Sequence, residues 1–229
     1  MTKMKPKTRK MYAPTDRFRA ALKKEIRREF NRLSVMSFDE LNVVRISKEL
    51  KDTYKRLMEY NRKGYTEIVE EAHLYAISLL TEEEKEKEAK IRFIPDDFIE
   101  YMFTTYDYVT GYLYEREAER KRLRQGEEMA TAREYRDRPR YSKTLEKSAN
   151  LWFTQSGQYA IDIEDYTVRE TFARAGVKKV QWIAEDDDKT CHVCRKLDGM
   201  VYDIDKVPHK AHYNCRCMII PYKDIKDFA

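Results

Sequence analysis

The residues best suited to chemistry lie near the C-terminus, where all four cysteines fall between Cys191 and Cys217. Cys191 and Cys194 form a Cys-x-x-Cys pair, and Cys215 and Cys217 follow after twenty residues. Two thiolates of a Cys-x-x-Cys turn can bind one Zn²⁺ at about 2.3 Å, and a second pair from a distant turn completes a tetrahedron. The spacing predicts one structural zinc ion.

Five candidates compete for the four positions around such an ion, because His212 stands just before the second cysteine pair. Residues two apart on a strand are separated by about 6.6 Å, so Cys215 and Cys217 reach one ion only if the chain bends between them. His212 and Cys215 have the same separation as Cys191 and Cys194. We therefore favour Cys191, Cys194, His212 and Cys215, with Cys217 replacing His212 if the following strand starts late.

Other interpretations of this segment are weaker. Reduced cysteines are often buried simply as small apolar residues. A thioredoxin-like redox site would need a βαβ pattern around the Cys-x-x-Cys pair, and the sequence lacks one. The enzymatic alternative is a metal-dependent nuclease of the His-Asn type. The candidate residues of such a nuclease site would be His209, His212, Asn214, Asp203 and Asp205. His209 is also the candidate that we favour least as a zinc ligand.

A second candidate site is the basic N-terminus. Residues 1–32 carry twelve Lys and Arg against three acidic residues, a charge of +9 in a chain whose net charge is +5. Lysine and arginine that neutralise phosphates release counterions from DNA, so a nonspecific contact with double-stranded DNA is one interpretation and a solvated tail is the other. The candidate DNA-binding residues are Lys3, Lys5, Lys7, Arg9, Lys10, Arg17, Arg19, Lys23, Lys24, Arg27 and Arg28.

Composition predicts a mainly α fold, namely an elongated helical body with a small α+β module around the Cys/His residues. Charged residues make up 38% of the chain, Gly and Pro are few, and mean hydropathy is −0.84. No apolar run is long enough for a membrane span or a signal peptide, which predicts a protein that is made and kept in the cytosol or in an assembly built there. We expect an N-terminal arm and helix (1–36), a charged helical body (37–150) and a C-terminal region with the Cys/His module (151–229).

Apolar periodicity and capping signals predict the individual elements. Residues 1–14 look like a flexible tail, and residues 16–33 have the apolar spacing of an amphipathic helix. Ser37 with Glu40 predicts the start of a second helix that stops near Gly64, and a third helix follows over 65–80. Thr81 with Glu84 predicts another capped helix. The lone His73, at the edge of the apolar stripe of the helix over 65–80, is given no role.

The second half of the chain is also expected to be largely helical. Pro95 predicts the start of a long helix that continues into the charged segment 115–140. From Ser142 onward two helices are expected, the second ending at Gly176 as a C-cap. Residues 177–184 alternate as a short strand anchored by Trp182, and Asp198 with Gly199 predicts a tight turn into another strand.

Several of these segments together resemble the phage minor head protein family, the Mu F-like head morphogenesis proteins. The resemblance rests on Val168–Gly176, Gln181–Cys194, Leu197–Gly199 and His212–Cys217. It is specific from about residue 169 to residue 221 and looser over 90–168. Tyr213 departs from the pattern, because the family usually has Pro between the His and the Asn.

The resemblance implies a low-copy, non-enzymatic virion component that is incorporated during procapsid assembly. It further implies a place in the capsid interior or at the portal vertex, with the portal protein and other capsid components as partners, and a role in head morphogenesis or in DNA packaging and ejection. No membrane and no small-molecule substrate are expected. A zinc-module regulator that binds DNA is the other alternative, although a basic recognition helix beside the cysteines is lacking.

Overall fold

The chain is mostly helical and carries one small antiparallel sheet near its C-terminus. The computed structural model describes residues 8–90, 93, 112–185, 190–210, 212 and 214–223. In chain order the helices and strands are α1 (Thr8–Met11), α2 (Ala13–Ser34), α3 (Val43–Ser78), α4 (Glu82–Ala89), α5 (Tyr112–Glu134), α6 (Arg138–Arg174), β1 (Lys179–Ile183), α7 (His192–Leu197), β2 (Val201–Asp203) and β3 (Met218–Pro221). The mainly α prediction is therefore confirmed.

Helix α2 confirms the predicted amphipathic helix, and its apolar stripe is buried. The start of the chain differs from the prediction. Residues 8–11 are helical and α2 already begins at Ala13, so the flexible tail cannot extend to residue 14. Met11 and Tyr12 are only 2% and 1% exposed, and burial of these two large side chains orders a segment that composition marks as a tail.

Helix α3 runs without interruption through Gly64, where the sequence predicts a stop. A glycine inside a helix costs about 1 kcal/mol relative to alanine, which packing can offset. Here the absent Cβ leaves room for the ring of Phe18, which would collide with any side chain at position 64. Close packing against α2 therefore explains why the helix continues.

The capping signals were right in one case and wrong in another. Thr81 and Glu84 form the predicted capping box at the start of α4. Ser37 instead accepts a hydrogen bond from the Asp39 backbone at 3.3 Å within a turn. Helix α3 begins at Val43, after Asn42, whose side chain accepts from the Arg45 backbone at 2.8 Å.

Helix α6 is one continuous helix of 37 residues where two helices were expected. Its end is predicted correctly. Gly176 has a φ of 81°, and the Val177 and Gly176 amides donate to the carbonyls of Phe172 and Ala173. This is the Schellman arrangement, which needs a residue in the left-handed region and so favours glycine. The predicted helix start at Pro95 lies outside the described residues.

The sheet has the order β2-β1-β3, and both pairings are antiparallel. Strand β1 is central and confirms the expected strand over 177–184, with Trp182 only 1% exposed. Gly199 has a φ of 80° in the turn before β2, so the predicted Asp198-Gly199 turn is also present. The sheet thus supports the segments from which the cysteines project.

The chain divides into two compact units. Unit 1 comprises Met1–Asp16, Thr66–Pro95 and Gln158–Ala229, and unit 2 comprises Arg17–Tyr65 and Asp96–Gly157. The core of unit 1 includes Trp182, Phe172 and the three buried cysteines, whereas the core of unit 2 is built from aliphatic and aromatic side chains of its helices. The three-part division expected from sequence stays a prediction. Among the described residues, no helix has the length and apolar character needed to cross a membrane.

Candidate metal centre

The first pair of candidate ligands lies at the start of α7. Cys191 is the N-cap of this helix, and its Sγ accepts a hydrogen bond from the Cys194 amide at 3.4 Å. This backbone hydrogen bond lowers the pKa of the Cys191 thiol. The side chain of Cys194 is buried, with 2% exposure, while Cys191 is half-exposed. One helical turn therefore presents both sulfurs on the same side of α7.

The second pair lies in the irregular segment before β3. Asn214 has a φ of 57°, a left-handed conformation that Asn tolerates better than most residues, and its amide donates to Gln158 Oε1 at 2.8 Å. Cys215 and Cys217 follow and are both buried. Strand β3 starts only at Met218, so neither cysteine lies on a strand. This late start meets the condition under which Cys217 was expected to compete with His212.

The structure brings all five candidate ligands into one neighbourhood. Their ligand atoms form two groups of three, Cys191 with Cys194 and His212, and Cys194 with Cys215 and Cys217, and within each group the atoms lie within 4.8 Å of one another. Cys194 belongs to both groups. Its Sγ is 3.4 Å from His212 Nε2 and 3.6 Å from Cys215 Sγ. Neighbouring ligands of a tetrahedral zinc ion stand about 3.6–3.8 Å apart, and these two distances are close to that spacing.

The pKa shifts of the cysteine thiols indicate how a bound cation would change their ionisation. The neighbouring Cys217 thiol lowers the pKa of Cys215 to about 5, and the same contact raises the pKa of Cys217. Burial raises the pKa of Cys194 to about 12. Mutual contact and burial thus disfavour ionisation of Cys194 and Cys217 and favour ionisation of Cys215. Soft sulfur donors and an imidazole are the ligands that Zn²⁺ prefers, and its charge would allow further thiols to ionise.

The residues proposed for a nuclease are not assembled into a site. His209 and Asp205 are exposed, and Asp203 forms an ion pair with Lys206 at 3.0 Å. Within the described ranges, the groups of three or more potential metal ligands contain the four cysteines and His212 and none of these residues. The geometry of the described residues therefore supports a cysteine-based metal site, and groups of three or more potential ligands beyond these two are not found among them.

Comparison with protein families gives one match. Residues 117–220 match the family described as Phage Mu protein F like protein. This region is Mu F-like. The predicted resemblance is confirmed for residues 117–220. Searches for similar curated proteins and for similar solved structures found no match.

The Mu F-like region contains the whole candidate metal centre. It covers nearly all of α5, all of α6, the sheet except Pro221, and all five candidate ligands. The eleven candidate DNA-binding residues lie before it. The candidate metal ligands and the candidate DNA-binding residues therefore lie in different parts of the chain, and the family match covers only the metal ligands.

The structure separates the eleven basic residues by their surroundings. Lys3, Lys5 and Lys7, and the side chain of Arg9, lie outside the described residues. Arg28 forms ion pairs with Glu25 and Glu29. Arg19 lies over the ring of Phe153, with its Cζ 5.7 Å from the ring centroid. Arg17 interacts with another group of the protein. Lys10, Lys23, Lys24 and Arg27 are exposed and form no ion pair with another described residue.

Three polar residues that matter for the site were missed by sequence reasoning, namely Tyr12, Asp165 and Lys210. They form a buried hydrogen-bonded group beside Cys217. Tyr12 is separated from Cys217 by 205 positions, and no periodicity or motif relates residues so far apart. Tyr12 did carry a weak signal, since it is a large aromatic residue inside a segment interpreted as a polar tail.

Proposed function

We propose that this chain is a non-enzymatic minor head protein of a phage, whose Mu F-like region is held together by one structural Zn²⁺ ion. The observation that carries the proposal is the convergence of five sulfur and nitrogen donors inside the matched region. In the proposal, the protein enters the procapsid during assembly, associates with the portal and other capsid proteins, and acts in head morphogenesis or in DNA packaging and ejection.

The metal part is tested on the full-length chain purified without chelator. We expect about one zinc ion per chain by elemental analysis, and release of that zinc by a strong chelator should open the region to protease. Metal that binds only the folded chain contributes its binding free energy to folding, so the segments that carry the donors should lose stability when the metal is removed. Absence of zinc, with unchanged protease resistance after chelator treatment, would contradict the proposal.

The choice between His212 and Cys217 is tested by two substitutions. The burial of Cys217 and the late start of β3 support a four-cysteine set, whereas the 3.4 Å contact between His212 Nε2 and Cys194 Sγ supports the set with His212. Zinc retained by His212→Ala and lost from Cys217→Ser identifies the four-cysteine set. The reverse result identifies Cys191, Cys194, His212 and Cys215. Cobalt absorption spectra distinguish the sets as well, because they report the number of thiolate ligands.

The virion part is tested in the phage that encodes the chain. Mass spectrometry of purified procapsids and mature virions should find the protein in both, and crosslinking should connect it to the portal protein. The Cys194→Ser chain should be incorporated poorly, whereas Val193→Ser, on an exposed neighbouring residue, should be incorporated normally. Particles that assemble, fill with DNA and infect equally well without the protein would overturn the assignment.

For DNA binding, we propose a smaller set of residues than the eleven basic candidates. Lys23 and Arg27 are four positions apart on α2 and Lys24 is three from Arg27, so their exposed side chains share one side of the helix. We propose that this basic face of α2 (Lys23, Lys24 and Arg27), together with the arm before it, contacts the phosphates of packaged double-stranded DNA. Such a contact is independent of base sequence and weakens steeply with salt.

A charge-matched comparison tests this contact. Replacing Lys23, Lys24 and Arg27 by Gln should weaken nonspecific DNA binding and reduce the magnitude of the slope of log K against log salt by about 3. The control replaces Lys48, Lys51 and Lys55 of α3, which are also exposed, by Gln and removes the same charge. Equal losses in both triple variants would show that only net charge matters. Removing residues 1–32 should abolish most of the binding.

A further inference from the structure

The N-terminal segment 11–16 packs against the candidate metal centre. Met11 and Tyr12 belong to the same buried apolar cluster as Cys194, Cys215 and Cys217. All of these residues lie within unit 1. The start of the chain therefore forms part of the wall behind the cysteines.

The hydroxyl of Tyr12 is the centre of a buried polar network. It lies 2.9 Å from the carbonyl oxygen of Cys217 and 2.5 Å from Asp165 Oδ1, and it accepts a hydrogen bond from Lys210 Nζ at 2.8 Å. A hydroxyl has one hydrogen, so it donates to the carbonyl or to the carboxylate at any moment. Both acceptors are buried or largely buried, and each would lose a partner if the hydroxyl were removed.

Two ion pairs also connect the segment 210–217 to α6 and to the N-terminal segment. Lys210 Nζ is 3.1 Å from Asp165 Oδ2, and both side chains are only 18% exposed. Arg216, between Cys215 and Cys217, pairs with Asp16. Charges as little exposed as those of Lys210 and Asp165 are tolerated only when they are paired and hydrogen-bonded, whereas the side chains of Arg216 and Asp16 are 37% and 45% exposed. Four positions in the segment 210–217 are thus held by residues of the N-terminal segment or of α6, namely Lys210, Asn214, Arg216 and Cys217.

We propose that Tyr12 is a positioning residue for the metal centre, through which metal binding and the docking of the N-terminal segment are energetically linked. The inference rests on the proposed metal site. The Tyr12 hydroxyl fixes the Cys217 carbonyl and the Lys210 side chain, and so sets the path of the chain that carries His212, Cys215 and Cys217. Linkage of this kind is reciprocal: what docking contributes to metal affinity, the metal contributes to docking.

The test uses Tyr12→Phe in the full-length chain, because phenylalanine keeps the buried ring and removes only the hydroxyl. Metal affinity, measured with Zn²⁺ in competition with a chromophoric chelator, should fall by about 10-fold or more, as for other residues that support metal ligands. The control is Tyr202→Phe on β2, where the side chain packs against the same cluster and is half-exposed. It should change the affinity less than about twofold by comparison.

A second readout separates positioning from a general loss of stability. In the unmodified chain, Zn²⁺ should slow amide hydrogen exchange over residues 11–16. In Tyr12→Phe this metal-dependent slowing should largely disappear, whereas general destabilisation would raise exchange equally with and without metal. Asp165→Asn, which keeps a hydrogen-bonding group but removes the counter-charge of Lys210, should show the same pattern if Tyr12→Phe fails to fold.

The outcomes distinguish this inference from the metal proposal. An unmodified chain that binds no metal would overturn both. Metal binding with unchanged affinity in Tyr12→Phe, and unchanged metal-dependent protection over residues 11–16, would overturn the positioning role alone.

Discussion

Unit 1 places ionisable side chains inside its apolar core, whereas unit 2 keeps its described ion pairs at or near the surface. In unit 1, Asp165, Lys210, His73 and Glu88 are largely buried alongside the cysteines. In unit 2, the most buried of the described ion pairs joins Glu29, whose side chain is 8% exposed, to Arg56, whose side chain is 42% exposed and so brings the pair to the surface. Buried ionisable groups make stability depend on protons and on metal, but close packing of apolar groups does not. The two units should therefore respond to different perturbations.

The largest expected effect is the loss of Cys194, which belongs to both ligand groups. Cys194→Ser should abolish stoichiometric zinc binding and make the chain after about residue 177 sensitive to protease, because structural zinc contributes on the order of 10 kcal/mol of folding free energy. Elemental analysis and limited proteolysis with mass spectrometry measure both effects. Unit 2 should remain protected. Proteolysis of both units together would contradict the comparison.

The next largest expected effect is a pH dependence of the free energy of unfolding due to His73. This residue of α3 contacts groups of α4 and α6. Its Nδ1 is 2.9 Å from Thr171 Oγ1, its Nε2 is 3.8 Å from Glu88 Oε1, and its ring stacks on Phe93. Burial, with a smaller contribution from Arg174, lowers the pKa of His73 to about 4. Between pH 6.5 and 4 the unfolded chain therefore binds a proton that the folded chain does not. The resulting stability is present above pH 6.5 and is lost as the pH falls towards 4, by at most about 3 kcal/mol.

Buried carboxyl groups in the same unit act with the opposite sign. Burial raises the pKa of Asp162 to about 7 and that of Asp165 to about 6, so these groups favour the folded state as the pH falls. The His73 contribution is isolated by comparing the unmodified chain with His73→Gln in denaturant titrations from pH 7 to pH 4. The disadvantage of the variant should shrink as the pH falls. His209→Gln, on an exposed residue, is the control, and a pH-independent difference for His73→Gln would refute the assignment.

Packing in unit 2 is tested by two glycines within its helices. Gly64→Ala should destabilise unit 2 by about 1–3 kcal/mol, because the new Cβ would overlap the ring of Phe18. Gly126→Ala should instead stabilise the protein by about 0.5–1 kcal/mol, because its Cβ would lie 3.6 Å from Leu50 Cδ1 in ordinary contact. Chemical denaturation measures both changes. Zinc content should be the same in both variants, and a loss of zinc in Gly64→Ala would break the separation of the two units.

The smallest expected effect concerns the surface ion pair of Arg32 and Glu49 in unit 2. The two groups are 2.8 Å apart, and the arginine side chain is 46% exposed. Glu49→Gln should change stability by no more than about 1 kcal/mol, since solvent and salt screen such pairs. Urea denaturation at low and at high salt gives the measurement. A larger loss that persists in high salt would show that unit 2 also depends on a charged group.

Local signals in the sequence predicted the features that depend on neighbouring residues. The Cys-x-x-Cys spacing, the Thr81 capping box and the Gly176 helix end are each decided within a few positions, and all three are present. The expected stop at Gly64 and the expected division of residues 142–176 into two helices were wrong, because a local propensity of about 1 kcal/mol is outweighed by packing along the helix. Tyr12 shows the other limit: its contact with Cys217 depends on the folded chain path alone.

The overlap of the two ligand groups at Cys194 bears on the kinetics of metal exchange. A tetrahedral ion uses four donors, and two groups of three that share Cys194 offer five candidates here. An ion bound as proposed would be able to gain the fifth candidate as one of its four donors leaves, so ligands would exchange without a step of lower coordination number. Such an exchange would be faster than release of the ion to solvent. Loss of a peripheral donor should accordingly change the rate of metal release less than loss of Cys194, the donor common to both arrangements.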